Sequence, residues 1–301
     1  CACLVGSEMC IRDSVEGVQS KGVGTSLKHF AANNQESDRL RVDARISPRA
    51  LREIYFPAFE HIVKKAQPWT IMCAYNCING VHAAQDRWLL TDVLRDEWGF
   101  QGIVMSDWGA DHDRVASLNA GLNLEMPPSY TDDQIVYAAR DGRIQPAQLD
   151  RMAQGMIDLV NKTRAAMSVE NYRFDIEAHD EVAHQAAVES MVLLKNDDSI
   201  LPVAGDAKVT VIGEFARTPR YQGGGSSHIT PTKMTSFLDA LTERGVDAKF
   251  APGFTLDLEP ADPTLEAEAV EAAKGADVVL MFLGLPEAAE SEGFDLSLIH
   301  I

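Results

Sequence analysis

Asp107 closes the apolar run Gly102-Ile-Val-Met-Ser106 and is followed at once by Trp108. A carboxylate at the carboxyl end of a short buried strand, beside a flat indole, suits attack on or stabilisation of an electron-poor anomeric carbon, with the ring covering the apolar face of a sugar. An aspartate in that place also serves as a helix cap, so its neighbours decide. Residues 22–27 predict a strand that ends in Lys28, His29 and Phe30, and residues 69–74 one that ends in Tyr75 and Asn76. Lys28 and His29 can donate to ring hydroxyls, and an ammonium group near Asp107 favours the ionised carboxylate. Arg39 offers a fork to a hydroxyl or a carboxylate, and Tyr75 a hydroxyl to the nucleophile. The plainer roles are a surface ion pair for Arg39, core packing for Tyr75 and Trp108, and a satisfied core histidine for His29.

These residues need elements that bring strand ends together. Helical spacing over 48–65, capped by Ser47 with Pro48 at its first position, and over 91–98 separates the three strands. Strand and helix in alternation predict a parallel sheet, and in a (β/α) barrel all strands point one way, so their polar ends share a pocket. Residues 121–126 predict a further barrel strand with Glu125 near its end, followed by helices over 131–141 and 146–164. Character changes over 165–180, read as a linker that includes Asn171-Tyr-Arg-Phe174. A helix over 181–196 opens a second α/β unit, in which 208–213 and 276–284 are continuous apolar runs typical of strands covered on both faces, with helices over 235–245 and 265–274.

The strings Lys28-His-Phe-Ala-Ala-Asn-Asn-Gln-Glu-Ser-Asp-Arg39, Arg49-Ala-Leu-Arg-Glu-Ile-Tyr55, Met72-Cys-Ala-Tyr-Asn-Cys-Ile-Asn-Gly80 and Leu89-Leu-Thr-Asp-Val-Leu-Arg-Asp-Glu-Trp-Gly-Phe100, with Ser106-Asp-Trp108, resemble glycoside hydrolase family 3, the β-glucosidase and β-xylosidase group. Ala187-Val-Glu-Ser-Met-Val-Leu-Leu-Lys-Asn196 and Leu201-Pro202 are similar to the start of that family's second domain. The resemblance implies an α/β fold: the C-terminal part of a (β/α)8 TIM-type barrel over 15–164, a linker over 165–180, and part of an α/β sandwich domain over 181–295. It implies a retaining exo-β-glycosidase that removes terminal non-reducing β-linked sugars, with β-glucosidase favoured. A β-xylosidase, or an inactive carbohydrate-binding homologue, is the alternative. Asp107 would be the nucleophile, and Lys28, His29, Arg39, Tyr75 and Trp108 would line the sugar subsite. Glu292, in Glu290-Ser-Glu-Gly-Phe-Asp295, would be the acid/base, although Leu296 stands where the family has arginine. By residue type alone Glu287, Glu290 and Glu292 are equivalent. Ser226, in Gly223-Gly-Gly-Ser-Ser227, matches a family loop that reaches over the sugar. Without the resemblance that run reads as a surface turn, and it lacks the lysine and spacing of a phosphate loop. Lys28-His-Phe-Ala-Ala-Asn-Asn lacks the Pro-Gly-His continuation of the family's N-acetylglucosaminidases, which disfavours that activity.

Both termini read as foreign. The nucleotides CTGTCTCTTATACACATC encode Leu296-Ser-Leu-Ile-His-Ile301, and their reverse complement in another frame encodes Met9-Cys-Ile-Arg-Asp13, a resemblance to a transposon-end adapter. Residues 1–14 and 296–301 are therefore set aside as an adapter-like leader and tail, and the remainder is expected to be an incomplete, inactive piece with exposed strand edges. A net charge of -18 argues against nucleic-acid partners, because an acidic surface repels phosphate, and leaves a neutral β-linked oligosaccharide or glycoside unaffected. No apolar stretch nears the roughly 20 residues needed to span a bilayer, so membrane insertion is not expected. Cys73 and Cys77 read as free thiols and leave the compartment open; a periplasmic or secreted location is favoured over the cytoplasm. No cofactor is expected, since glycoside hydrolysis moves neither hydride nor electrons. Asp111-His-Asp113 has the alternation of metal ligands but equally the look of a solvated helix start, and no metal is expected. Oligomeric state is not legible.

Overall fold

The computed structural model describes residues 7–168, 172–257 and 261–296. Residues 1–6 of the expected leader, 169–171 of the expected linker and 297–301 of the expected tail lie outside them. The chain separates into two compact units, Cys1–Tyr172 and Arg173–Ile301.

The first unit opens with α1 (Ser7–Gln19). Met9 and Ile11, within the adapter-like stretch, are exposed, and Val15 is the first residue of the helix in the core. Strand β1 (Ser26–Phe30) begins later than residue 22, because Gly22 takes a positive φ in the turn that closes α1. Lys28 and His29 therefore lie inside the strand end. The loop beyond supplies β2 (Asp43–Ala44). Ser47 caps α2 (Pro48–Ala50) by accepting from the Ala50 amide, and helical winding continues through a π-type turn, Leu51–Tyr55, into α3 (Pro57–Ala66). The expected 48–65 helix is thus bent at Pro57, whose ring nitrogen has no hydrogen to donate. Strand β3 (Thr70–Cys73) follows, then β4 (Cys77–Ile78) and β5 (Val81–His82), a hairpin in which β4 also pairs with β2. A π-type helix, Trp88–Glu97, leads to β6 (Ile103–Met105).

Strands β1, β3 and β6 form a parallel sheet in that order, Leu27 opposite Ile71 and Ile71 opposite Val104. Behind it Phe30, Phe56 and Trp98 pack with centroids 5.4 to 5.9 Å apart. The expected strand over 121–126 is reduced to a single parallel bridge, Met105 to Leu124, with the Ser106 amide bonded to the Leu124 carbonyl. Helices α4 (Arg114–Ala120), α5 (Asp132–Arg140) and α6 (Pro146–Met167) close the unit.

In the second unit α7 spans Ile176–Glu189 rather than 181–196. Met191, Val192, Leu193 and Leu194 are consecutive rather than spaced at helical intervals, and they run non-helically with 66% to 91% exposure. Strand β7 (Val209–Ile212) is central and buried at every position. It is flanked in parallel by β8 (Ala248–Ala251), which sequence reading missed because Lys249 interrupts a very short apolar run, and by β9 (Val278–Met281). Strand β9 corrects the expectation of burial on both faces. Among the described residues it is an edge strand whose side chains alternate, leaving Val279 and Met281 open. Helices α8 (Phe237–Glu243) and α9 (Pro263–Ala273) complete the βα units, α8 held by a reciprocal capping box between Ser236 and Asp239.

The start of β6 crosses the chain before β3 at a distance only glycine permits. A Cβ on Gly102 would lie 2.4 Å from the Trp69 carbonyl oxygen. Gly102→Ala is expected to destabilise the fold by about 1–3 kcal/mol, read as a lower urea midpoint at unchanged slope.

Candidate active site

Three parallel strands deliver their carboxyl ends to one edge of the sheet, and the chemistry-bearing residues of the first unit collect there. Asp107 follows β6 and is 8% exposed. The chain then turns sharply through Trp108 (φ 28°) and Gly109 (φ 87°), which leaves the indole 50% exposed directly beside the carboxylate. Ser106 holds the turn from beneath. Its buried hydroxyl accepts from the Met126 amide at 2.7 Å and donates to the Met126 carbonyl at 3.2 Å.

His29 reaches Asp107 from β1, Nε2 to Oδ2 at 3.2 Å. Burial pushes the imidazole below its ordinary range; Lys28 and Arg39 act in the same direction, and the carboxylates of Asp107 and Glu36 oppose without reversing it. The ring is therefore neutral near pH 7, and the contact is a hydrogen bond from Nε2–H to a carboxylate. Between these strands, on β3, burial pushes the Cys73 thiol up to about 12 although the Asp107 backbone hydrogen-bonds to it, so the thiol stays neutral. Lys28 is exposed. Arg39 donates to Glu36 at 2.9 Å and lies 4.6 Å over the Tyr75 ring, so its ion pair and its aromatic contact coexist. Tyr75 itself is 4% exposed.

Two residues of the Asp111-His-Asp113 string have structural partners. Asp113 caps α4 by accepting from the Val115 and Ala116 amides. Asp111 accepts from Ser117 Oγ at 2.7 Å and Arg114 Nη1 at 3.3 Å, and Arg114 Nε lies 3.3 Å from Glu125. Glu125 in turn accepts from the amide and hydroxyl of Ser129. This network ties the turn after β6 to the segment after Glu125. Sequence reading missed it and the part of Ser106; the spacing of Asp111 and Arg114 at i and i+3 on a helix start was the available signal.

In the second unit Ser226 and Glu292 meet. The Ser226 amide donates to Glu292 Oε2 at 2.6 Å and its hydroxyl to the same oxygen at 2.5 Å. The glycine run makes this approach possible. A Cβ on Gly224 would stand 1.9 Å from Ser291 Oγ, and one on Gly225 (φ 66°) 2.5 Å from Glu292 Oε2. The three neighbouring glutamates are no longer equivalent. Glu287 lies 3.1 Å from His228, Glu290 lies 3.5 Å from Arg220, and Glu292 accepts from the amide and the hydroxyl of Ser226.

The family profile described as glycosyl hydrolase family 3 N terminal domain matches residues 7–159, and that described as glycosyl hydrolase family 3 C-terminal domain matches residues 191–301. The chain belongs to glycoside hydrolase family 3. Among family members it is 86% identical over 290 residues to an exo-alpha-(1->6)-L-arabinopyranosidase of Bifidobacterium breve, covering 93% of this chain and 38% of that protein. It is 47% identical over 286 residues to thermostable beta-glucosidase B of Acetivibrio thermocellus, again covering 93% and 38%. The crystal structure of the GH3 beta-glucosidase of Bifidobacterium adolescentis superposes with a TM-score of 0.90 at 86% identity, covering 94% of this chain and 42% of that one. Beta-glucosidase 3B of Thermotoga neapolitana in complex with alpha-D-glucose superposes with a TM-score of 0.85 at 33% identity, covering 96% and 44%. The chain thus spans less than half the length of these family members. Its fold is the family's: part of a TIM-type barrel followed by part of an α/β sandwich.

The buried neutral His29 has a consequence for acid stability. Its folded-state pKa lies below the ordinary 6.5, so the folded protein binds fewer protons than the unfolded chain in that range. The stabilisation is complete above about pH 6.5 and is lost as pH falls through the folded value. His29→Gln should shrink the difference in denaturation midpoint between pH 7.5 and pH 5, measured by urea titration.

Proposed function

We propose that the protein is a retaining exo-β-glycosidase, with β-glucosidase as the favoured activity. The observation that carries the reading is the Asp107 carboxylate, nearly buried at the end of a parallel strand, oriented by His29 and flanked by a half-open indole. In the proposed reaction Asp107 attacks the anomeric carbon as the leaving oxygen takes a proton from Glu292. Water then releases the sugar with Glu292 acting as base. Such double displacement needs the two carboxyl groups roughly 5 to 5.5 Å apart at the moment of attack. Glu292 is preferred over Glu287 and Glu290 because the segment Glu290-Ser-Glu-Gly-Phe-Asp295 resembles the family's acid/base segment with Glu292 at the acid position. Lys28, His29, Arg39 and Tyr75 are proposed to bind sugar hydroxyls and Trp108 to face the C–H surface. Ser226 is proposed to act through its hydroxyl at the same site, and no cofactor enters the scheme. The barrel part is taken as 15–164 and the sandwich part as 181–295.

The name of the B. breve relative supports a second specificity. An α-L-arabinopyranoside is a β-D-galactopyranoside lacking its exocyclic CH2OH, so one nucleophile and one acid serve both it and a β-D-glucoside. Room around the exocyclic carbon, worth about 10–200-fold per carbon, then separates glucose from the two pentoses, and contacts to the 4-hydroxyl, whose configuration differs between them, separate xylose from arabinose.

In a full-length version of the protein, Asp107→Asn is expected to lower turnover of 4-nitrophenyl β-glucoside by about a thousandfold or more with the circular dichroism spectrum unchanged. A 2-fluoro-β-glucoside should leave a glycosyl adduct on the Asp107 peptide, detected by mass spectrometry. An adduct on another residue, or none with activity retained in Asp107→Asn, removes Asp107 from the role and favours the binding-protein alternative. Parallel kcat/KM values for the glucoside, xyloside and arabinopyranoside rank the sugars.

A further inference from the structure

Along α4 and the first turns of α6 the first unit carries a cleft of about 540 Å³, roomy enough for a small ligand, and Arg87, Arg143 and Arg151 stand in its walls. Every other lining residue is a neutral amide or an alanine, so no carboxylate lines the space. In a chain with a net charge of -18 this is a local reversal of sign. The guanidinium groups are only partly spent. Arg143 gives its Nε to Asp141 at 2.9 and 3.1 Å, and its two Nη groups have no partner among the described residues. Arg87 stands 3.6 Å from Asp92, outside hydrogen-bond reach. Arg151 donates to Gln148 and has no carboxylate partner among the described residues. Arg95, bonded to the neutral oxygens of Gly102, Gly121 and Asn123, is pushed down to about 10, by burial first and by Arg151 next. A fourth cation therefore adds to the field around Arg151.

Two further features favour an anion. Helix α6 starts in the wall of the cleft, and Gln145 at its cap makes no side-chain bond to the first amides, whose partial positive charge suits an oxyanion. Gln85, another wall residue, has a buried Nε2 with no partner among the described residues. A buried donor left unmatched is costly, and an acceptor oxygen held on the Arg87 side of the cleft would satisfy it. The remaining amide donors are committed. Asn119, Gln145 and Gln148 give their side-chain nitrogens to the carbonyls of Arg143, Gly142 and Leu118. What the cleft has left to offer is chiefly guanidinium N–H, which pairs in a planar fork with the oxygens of a phosphate or a carboxylate. A carboxylate presents two oxygens on one side, whereas a phosphate presents three at tetrahedral angles and so meets forks that arrive from three walls.

We propose that this cleft is a binding site for a phosphate group, free or carried as a phosphate monoester, built from residues other than those around Asp107 and independent of the glycosidase reading. Calorimetric titration of a full-length version of the protein with inorganic phosphate and with glucose 6-phosphate tests it. At low salt at least one of the two should bind with a Kd below about 1 mM, and its affinity should fall severalfold as sodium chloride is raised from about 50 to 300 mM. Arg151→Gln should weaken that binding by about tenfold or more. Ala147→Glu keeps every arginine and sets a carboxylate in the wall, at an exposed position early in α6 where the helix dipole favours it. It should abolish phosphate binding while the thermal midpoint holds or rises. Arg49→Gln removes an exposed arginine outside the cleft, one paired with Glu53, and should leave binding unchanged. Failure of both probes to bind the wild type, binding that survives Ala147→Glu, or an equal loss in Arg49→Gln overturns the assignment. Where Ala147→Glu abolishes binding, a tighter ester names the monoester as occupant, and an ester no tighter than the free ion names the ion.

Discussion

A carboxylate placed at the end of an apolar strand must be given a donor, or the strand cannot bury it. Asp107 obtains one from His29, which belongs to β1, while Asp107 follows β6, and β3 lies between them. That bond exists only if the three strands keep their register, Leu27 to Ile71 to Val104, because a slip of one residue would turn His29 to the other face. Burial on the core side of the sheet and the reach of one imidazole therefore depend on each other. The same burial that depresses protonation of His29 keeps it a neutral donor, and keeps the Cys73 thiol between the strands uncharged. Asp107 consequently has two uncharged groups beside it, the His29 ring and the Cys73 thiol, with the charges of Lys28, Arg39 and Glu36 acting on that same ring.

The second unit solves a different problem, how to bring an acidic loop against another loop without a side chain in the way. Gly224 and Gly225 do this by having no Cβ, and the Ser226 amide and hydroxyl converge on one oxygen of Glu292. The glycine run is thus a surface of close approach more than a flexible tether. Around it, charge pairs join Glu287 to His228 and Glu290 to Arg220, while Ser226 is the donor to Glu292, so three glutamates that residue type could not tell apart meet different neighbours.

Much of this layout is legible in the residues. Apolar runs that end in polar residues locate β1, β3 and β6 to within a few positions, since a strand covered on both faces has few alternatives. Asp107 and His29 are legible because each stands at the end of such a run. What sequence hides is set by tertiary context. Gly22 delays β1 by adopting a left-handed turn, Pro57 bends a long helix, and β9 is half open as the edge of its sheet among the described residues. The Asp111–Arg114–Glu125 network mixes a contact between residues near in sequence with one between distant residues, and pattern reading catches only the first kind. The Ser226 to Glu292 contact spans 66 residues and depends on backbone shape at glycines, which no periodicity encodes.

Trp108 gives the molecule an optical property. Of the four tryptophans, Trp98 is packed away at 3% exposure and Trp88 is 39% exposed, whereas Trp108 is 50% open and adjoins Asp107 through the chain itself. An indole in that half-wet state fluoresces according to how much water touches it. Any ring that settles over it exchanges solvent for carbon and shifts its emission toward the blue, so occupancy beside Asp107 writes itself into the protein's own light.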